Sequence, residues 1–260
     1  MNVGWIGLGD IGTRMAVRVA HAGHTVTAYA RGNGQGALMQ AGGTLVADYV
    51  QAAEGCDLLC VCVYSEAQCR EILLDHGVLA VMRAGAVLAI HTTASPALMQ
   101  ALAEAAPEGV EVLDATFSGG PEKASEGTLT LIVGGEYHAL NDCRAVFALY
   151  ASTIHHVGQL GNAQVLKLLN NLLFAANLKL VDQALSVAVQ QGLAPGFAAT
   201  IIQDCSGMSL AMGLFKNTDN PAAVFSLIRP YLEKDVAVAK DAANSAGIDL
   251  GILQRVALSE

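Results

Sequence analysis

A glycine run near the start constrains this chain more than any other feature. Gly7-Leu8-Gly9-Asp10-Ile11-Gly12 follows the apolar stretch Asn2-Val3-Gly4-Trp5-Ile6 and opens a helical pattern. Between a strand and a helix, each glycine answers a separate steric demand. Gly7 permits the tight turn, Gly9 lets the backbone approach a pyrophosphate, and Gly12 lets helix and strand pack closely. Gly23-His24-Thr25-Val26 then starts a second strand at the spacing of a β-α-β unit. In such a unit the pyrophosphate of a dinucleotide lies at the helix N-terminus, on free N–H groups and the positive end of the dipole. Leu8, Asp10 and Ile11 lie in the same turn and join the three glycines as expected cofactor-binding positions.

The pattern continues. Strands are predicted at 2–6, 25–29, 58–63, 86–90, 110–115, 128–133 and 153–157, with helices at 10–22, 35–41, 66–74, 96–105 and 137–149. This alternation predicts an α/β fold, a Rossmann-type, mainly parallel sheet covered on both faces. From Gly161 the strand signals stop, and helical patterns follow at 162–191, 196–205 and 229–246. Gly192 and Pro195 separate the first two, while Pro221 and Pro230 punctuate the approach to the third. The expected organisation is an NAD(P)-binding domain over 1–160 and an all-helical C-terminal domain over 161–260.

Composition narrows the partners. Apolar residues make up 53% and charged residues 14%, enough for a substantial core. The net charge of −9 leaves no basic footprint for nucleic acid or an anionic membrane. The N-terminus begins directly as a strand, without the basic n-region of a signal peptide. The apolar window 172–189 is interrupted by Asn177, Lys179, Asp182 and Gln183, so no membrane span is expected. The six cysteines fit no zinc spacing and read as small buried residues of a reducing cytoplasm, with no metal.

The ribose end of the cofactor site is diagnostic. An NAD site places Asp or Glu at the end of the second strand. Here that position is near Ala30, and no acidic residue occurs between Asp10 and Asp48. Arg31 is next in line, and a guanidinium pairs with a 2′-phosphate through charge-assisted hydrogen bonds. The pattern favours NADP(H), with NAD(H) as the alternative.

Two further stretches carry chemistry. Ser118-Gly119-Gly120 offers a hydroxyl and unobstructed backbone N–H groups, suited to a carboxylate. Lys167, Asn170 and Asn171 share one face of a predicted helix whose other residues are Leu166, Leu168, Leu169, Leu172, Leu173 and Phe174. A cation and two amides in that setting cost free energy unless something uses them.

The order of these features, with Gly158-Gln159-Leu160-Gly161 leading into Lys167–Asn171 and Lys234-Asp235 near the end, resembles the β-hydroxyacid dehydrogenase family. That family includes 3-hydroxyisobutyrate dehydrogenase and tartronate semialdehyde reductase. The resemblance implies hydride transfer between a nicotinamide cofactor and a small β-hydroxy acid or its semialdehyde. It implies Lys167 as acid/base, Ser118, Gly119 and Gly120 on the substrate carboxylate, and Asn171, with Asn170 beside it, on the substrate. It also implies Thr93 at the nicotinamide end and Lys234 reaching the cofactor from a C-terminal helix. A lysine serves as a base when burial or a nearby cation lowers its pKa.

The chain departs from the family in places. Thr116-Phe117 stands where the family has Pro-Val, and Ile90-His91 where it has an acidic residue. The chain also stops at Glu260, where relatives continue into another helix. Alternatives are an imine reductase-like enzyme, which generally lacks the lysine, a sugar-acid phosphate dehydrogenase, which has His where Asn170 stands, and a non-catalytic NADP(H)-binding sensor. The apolar surface of the 162–191 helix predicts a homodimer or homotetramer.

Overall fold

The computed structural model describes residues 1–218 and 220–257. They form two compact units, Met1–Lys167 and Leu168–Glu260. The first holds eight strands: β1 (Asn2–Ile6), β2 (Thr25–Tyr29), β3 (Thr44–Leu45), β4 (Leu58–Val61), β5 (Val87–Ile90), β6 (Glu111–Ser118), β7 (Leu129–Gly134) and β8 (Ala151–His156). They build one sheet in the order β3-β2-β1-β4-β5-β6-β7-β8. Every pairing is parallel except β6 with β7. The order reverses at β1, whose neighbours are β2 and β4, and such a switch point is where open α/β sheets bind nucleotides.

Seven helices cover the sheet: α1 (Asp10–His21), α2 (Gln35–Gln40), α3 (Tyr49–Ala53), α4 (Glu66–Arg70), α5 (Pro96–Ala105), α6 (Pro121–Glu126) and α7 (Tyr137–Phe147). Successive strand residues point to opposite faces, so β4 and β5 are buried on both. Leu58, Cys60 and Ala89 join a core with Trp5, Met15, Val19, Phe147 and Tyr150. Leu59, Val61, Leu88 and Ile90 join the core on the other side, with Ile72, Leu98, Met99 and Leu102.

One strand is longer than its sequence pattern. β6 runs to Ser118 rather than stopping at 115, because β7 returns antiparallel and pairs Thr116 with Ile132 and Ser118 with Thr130. The expected loop therefore shrinks to Gly119 and Gly120, and the short α6 follows at once. Gly127 ends α6 in the left-handed conformation that glycine adopts freely.

α8 (Asn162–Gln190) starts in the first unit and continues into the second. The second unit adds α9 (Pro195–Gln203), α10 (Leu210–Gly213), α11 (Pro221–Ser245) and α12 (Gly251–Ala257). Leu178, Val181 and Leu185 of α8 pack with Ala198, Ala199, Met212 and Phe215, while Leu168, Leu172 and Ala175 pack against Val236 and Ala239 of α11. α11 begins at Pro221, eight residues before the predicted start, with Asn220 accepting the N–H of Ala223 at 3.2 Å. A proline inside a helix costs about 3 kcal/mol, so Pro230 reads as a boundary in sequence. Val224, Phe225 and Ile228 before it and Leu232 after it all pack into the same core, which carries the helix through.

By length and composition alone α8 also qualifies as a membrane-spanning helix, and 33% of its most apolar window is buried. Among the described residues no group of three or more His, Cys, Asp or Glu has metal-binding geometry. All six cysteines are free thiols.

Candidate active site

The glycine turn sits where β1 ends. Gly7 has φ +100°, and a Cβ there would collide with the carbonyl of Cys62 beyond the end of β4. A Cβ on Gly12 would strike the Gly7 carbonyl oxygen. Gly9 differs, because a Cβ built there meets nothing within 4 Å. Packing therefore accounts for Gly7 and Gly12 but not for Gly9, whose bareness leaves open space at the first turn of α1. Gly9 caps α1 without a side-chain hydrogen bond, so the first N–H groups of the helix keep no internal partner. The Thr13 hydroxyl on the same turn also has no hydrogen-bond partner. Uncapped N–H groups at the positive end of α1, a buried hydroxyl without a partner beside them and an open glycine suit the diphosphate of a dinucleotide.

Arg31 follows the end of β2. Its guanidinium donates to the Tyr49 hydroxyl and lies 5.6 Å from the Tyr49 ring centroid. Tyr29 packs edge-on to Tyr49 at 4.3 Å. Hydrogen bonds first to Tyr49 and then to Tyr29 raise the Arg31 pKa further. The cation is thus held at the strand end where an NAD site would carry a carboxylate.

Thr92 and Thr93 follow β5. The Thr92 hydroxyl accepts the Val63 N–H at 2.9 Å and donates to the Val63 carbonyl at 3.0 Å, so the loops after β4 and β5 are bound together. Ser95, not Thr93, caps α5, accepting the N–H of Leu98 at 3.2 Å. Thr93 is thereby released from a capping role. Ser118 ends β6, Gly119 takes φ +130°, and Gly120 precedes α6 with nothing within 4 Å of a Cβ.

The start of α8 is tied to these same strand ends. Asp114, wholly buried on β6, accepts the N–H of Gly161 at 3.0 Å through Oδ1 and that of Gln164 at 2.9 Å through Oδ2. The Gln164 amide accepts the N–H of Ala94 at 2.9 Å and donates to the Thr92 carbonyl at 3.0 Å. The Thr116 hydroxyl donates to the Ala163 carbonyl at 3.3 Å, a further tie between β6 and the start of α8. Lys167, three residues beyond Gln164, is half-buried. Gly7–Gly12, Arg31, Thr93 and Ser118 all follow or end strands at the carboxyl edge of the sheet, the edge to which the first turn of α8 is fastened.

Burial pushes the Asp114 carboxyl up to about 6, against the pull of the Gly161 and Gln164 N–H groups. His91, at the position where the family has an acidic residue, directly follows the end of β5. It is buried, with Nδ1 donating to the Ala115 carbonyl at 2.6 Å and Nε2 accepting from the Tyr150 hydroxyl at 3.1 Å. Desolvation lowers its pKa to about 4, so it stays neutral and structural.

In the second unit, Asn171 donates to Asp235 Oδ2 at 2.5 Å, and its own Oδ1 accepts from Asn170 at 2.9 Å. Lys234 pairs with Asp235 Oδ1 at 3.1 Å. The sequence pattern pointed to Asn170, Asn171 and Lys234. It names Asp235 only as the residue after Lys234, not as the group that joins Lys234 to Asn171, and it assigns no role to Asp114 or Gln164. The signal for Asp114 was available: a lone carboxylate in the apolar strand Val112-Leu113-Asp114-Ala115 is costly unless donors meet it.

Comparison with known proteins decides the family. Residues 2–158 match the model of the NAD-binding domain of 6-phosphogluconate dehydrogenase, and residues 161–258 match that of the NAD-binding of NADP-dependent 3-hydroxyisobutyrate dehydrogenase. The chain belongs to the β-hydroxyacid dehydrogenase family. It is 30% identical over 261 residues to the 2-hydroxy-3-oxopropionate reductase of Escherichia coli, covering 96% of this chain and 87% of that one. It is 31% identical over 215 residues to the 2-(hydroxymethyl)glutarate dehydrogenase of Eubacterium barkeri, covering 82% and 71%. The solved 3-hydroxyisobutyrate dehydrogenase of Mycobacterium tuberculosis, with L-serine, shares the fold at a TM-score of 0.86, with 23% identity over 98% of this chain and 91% of that one. As a β-hydroxyacid dehydrogenase, the protein is an NAD(P)-dependent oxidoreductase of hydroxy acids.

Proposed function

We propose that the protein moves a hydride between NADP(H) and a small β-hydroxy acid or its semialdehyde, with Lys167 as acid/base. The observation that carries this reading is the anchoring of the first turn of α8, one turn ahead of Lys167, to the sheet edge that also holds the glycine turn. The bound nicotinamide supplies the two-electron acceptor or donor. Lys167 takes the hydroxyl proton as the alcohol is oxidised and returns it in reduction. Ser118 and the N–H groups of Gly119 and Gly120 hold the substrate carboxylate, Asn171 with Asn170 orients the substrate, and Thr93 and Lys234 steady the cofactor. The N–H groups at Gly9–Gly12 hold its diphosphate.

The preference for NADP(H) rests on Arg31, held charged against Tyr49, and on the lack of an acidic residue from 11 to 47. The compounds in two relatives' names, 2-hydroxy-3-oxopropionate and 2-(hydroxymethyl)glutarate, are small and carry carboxylates, which supports that substrate class. Leu166, Leu169, Leu173, Leu180 and Val187 of α8 are exposed, which supports a homodimer or homotetramer that covers them. The free thiols support a cytoplasmic setting.

A screen of 3-hydroxyisobutyrate, L-serine and 2-hydroxy-3-oxopropionate with each cofactor, followed by nicotinamide absorbance, tests the reading. Turnover with NADP(H) is expected; a protein that binds the cofactor but turns over none of them contradicts it.

A further inference from the structure

We infer that Asp114 and Gln164 are positioning residues that set the Lys167 amine in register with Thr93 and Ser118. The inference rests on the reading of Lys167 as acid/base and extends it to groups that touch neither substrate nor cofactor. Asp114 lies in the middle of β6, and the same strand ends at Ser118 four residues on. Its carboxylate receives the N–H groups of Gly161 and Gln164, filling the place of a side-chain cap at the positive end of α8. The neighbouring strand makes room for it. Gly134, paired with Asp114 across the sheet, has no Cβ, and one built there would collide with Asp114 Oδ1.

Gln164 carries the connection to the third segment. Its backbone N–H is taken by Asp114, while its side chain bonds Ala94 on one side and Thr92 on the other, bracketing Thr93. The side chain is wholly buried, and each end of its amide has a partner. Three loops and strand ends that carry the proposed chemistry are thus joined by one satisfied buried network. Such networks fix geometry because breaking any member leaves a buried group unpaired. A misplacement of about 1 Å in a catalytic group costs up to roughly 100-fold in rate, so this network bears on turnover without touching the reacting atoms.

The test uses the full chain with Gln164→Met, which keeps the volume and removes the side-chain bonds to Ala94, Thr92 and the Met99 sulfur, and Gln164→Glu, which keeps the acceptor for Ala94 and loses the donor to Thr92. The readout is the acylation rate of the Lys167 amine by acetic anhydride across pH, followed by the mass of its peptide, beside NADPH binding by fluorescence. Folding is checked by thermal melting. The expected result is a Lys167 acylation profile changed by at least about threefold in Gln164→Met and in Gln164→Glu, whose carboxylate faces the Thr92 carbonyl, with NADPH affinity within about threefold of the parent, since the glycine turn is untouched. Folded variants whose Lys167 profile matches the parent overturn the inference. So does a change that only tracks loss of folded protein in both substitutions. Lys167 acylation needs no turnover, whereas loss of activity in Lys167→Ala tests the acid/base reading itself, so the two fail separately.

Discussion

Asn171 donates its side-chain N–H to Asp235 Oδ2 at 2.5 Å, and both residues are buried. With Asn170 donating to the Asn171 oxygen, the orientation of that amide is fixed. Asp235→Leu removes the acceptor and leaves the amide without its anchor. The kcat/KM for the hydroxy acid should fall about 10–100-fold, a loss of about 1.4–3 kcal/mol in transition-state stabilisation. NADPH affinity measured by fluorescence should change less.

Arg31→Ala separates the two cofactors. A 2′-phosphate loses a charge-assisted partner, whereas NAD(H) has no group there to lose. NADPH affinity should drop about tenfold or more and NADH affinity stay within about twofold. Equal effects on both cofactors would remove the argument for NADP(H).

The glycines of the turn should respond differently to alanine. At Gly12 a methyl group strikes the Gly7 carbonyl, so Gly12→Ala should lower stability by about 1–3 kcal/mol, read in a denaturant titration. At Gly9 a methyl group enters open space. Gly9→Ala should stay within about 1 kcal/mol of the parent and weaken cofactor binding instead.

Two buried groups set the acid response with opposite signs. His91 is held near 4 against an ordinary 6.5, so the unfolded chain takes up that proton first and stability falls as pH drops below about 6.5. Asp114 is raised to about 6 from 3.8, so its contribution is full below 3.8 and is lost as pH rises through about 6. Between pH 6 and 4 the two oppose each other. Asp114→Asn removes the compensating group, and the variant should lose on the order of 2 kcal/mol more than the parent between pH 7 and 4.5. Urea titrations at both pH values check this.

Much of this was legible in sequence because local chemistry decided it. The glycine turn, the β-α alternation and the extent of α8 each follow from residues close together in the chain. The end of β6 did not, since only pairing with β7 extends that strand to Ser118. The start of α11 was hidden because Pro230 reads as a breaker until the apolar residues on both sides of it are seen in one core. Lys167 and Asn171 stood out by their spacing. Asp114, Gln164 and Asp235 act through partners 47 to 72 residues away, and no local pattern encodes such pairings.

The most direct measurement is the turnover of Lys167→Ala with NADP(H) and 3-hydroxyisobutyrate or L-serine, beside its NADPH affinity. With Lys167 as acid/base, kcat falls about 10²–10⁴-fold and cofactor binding is nearly unchanged. A variant that keeps kcat within a few-fold of the parent would contradict that role.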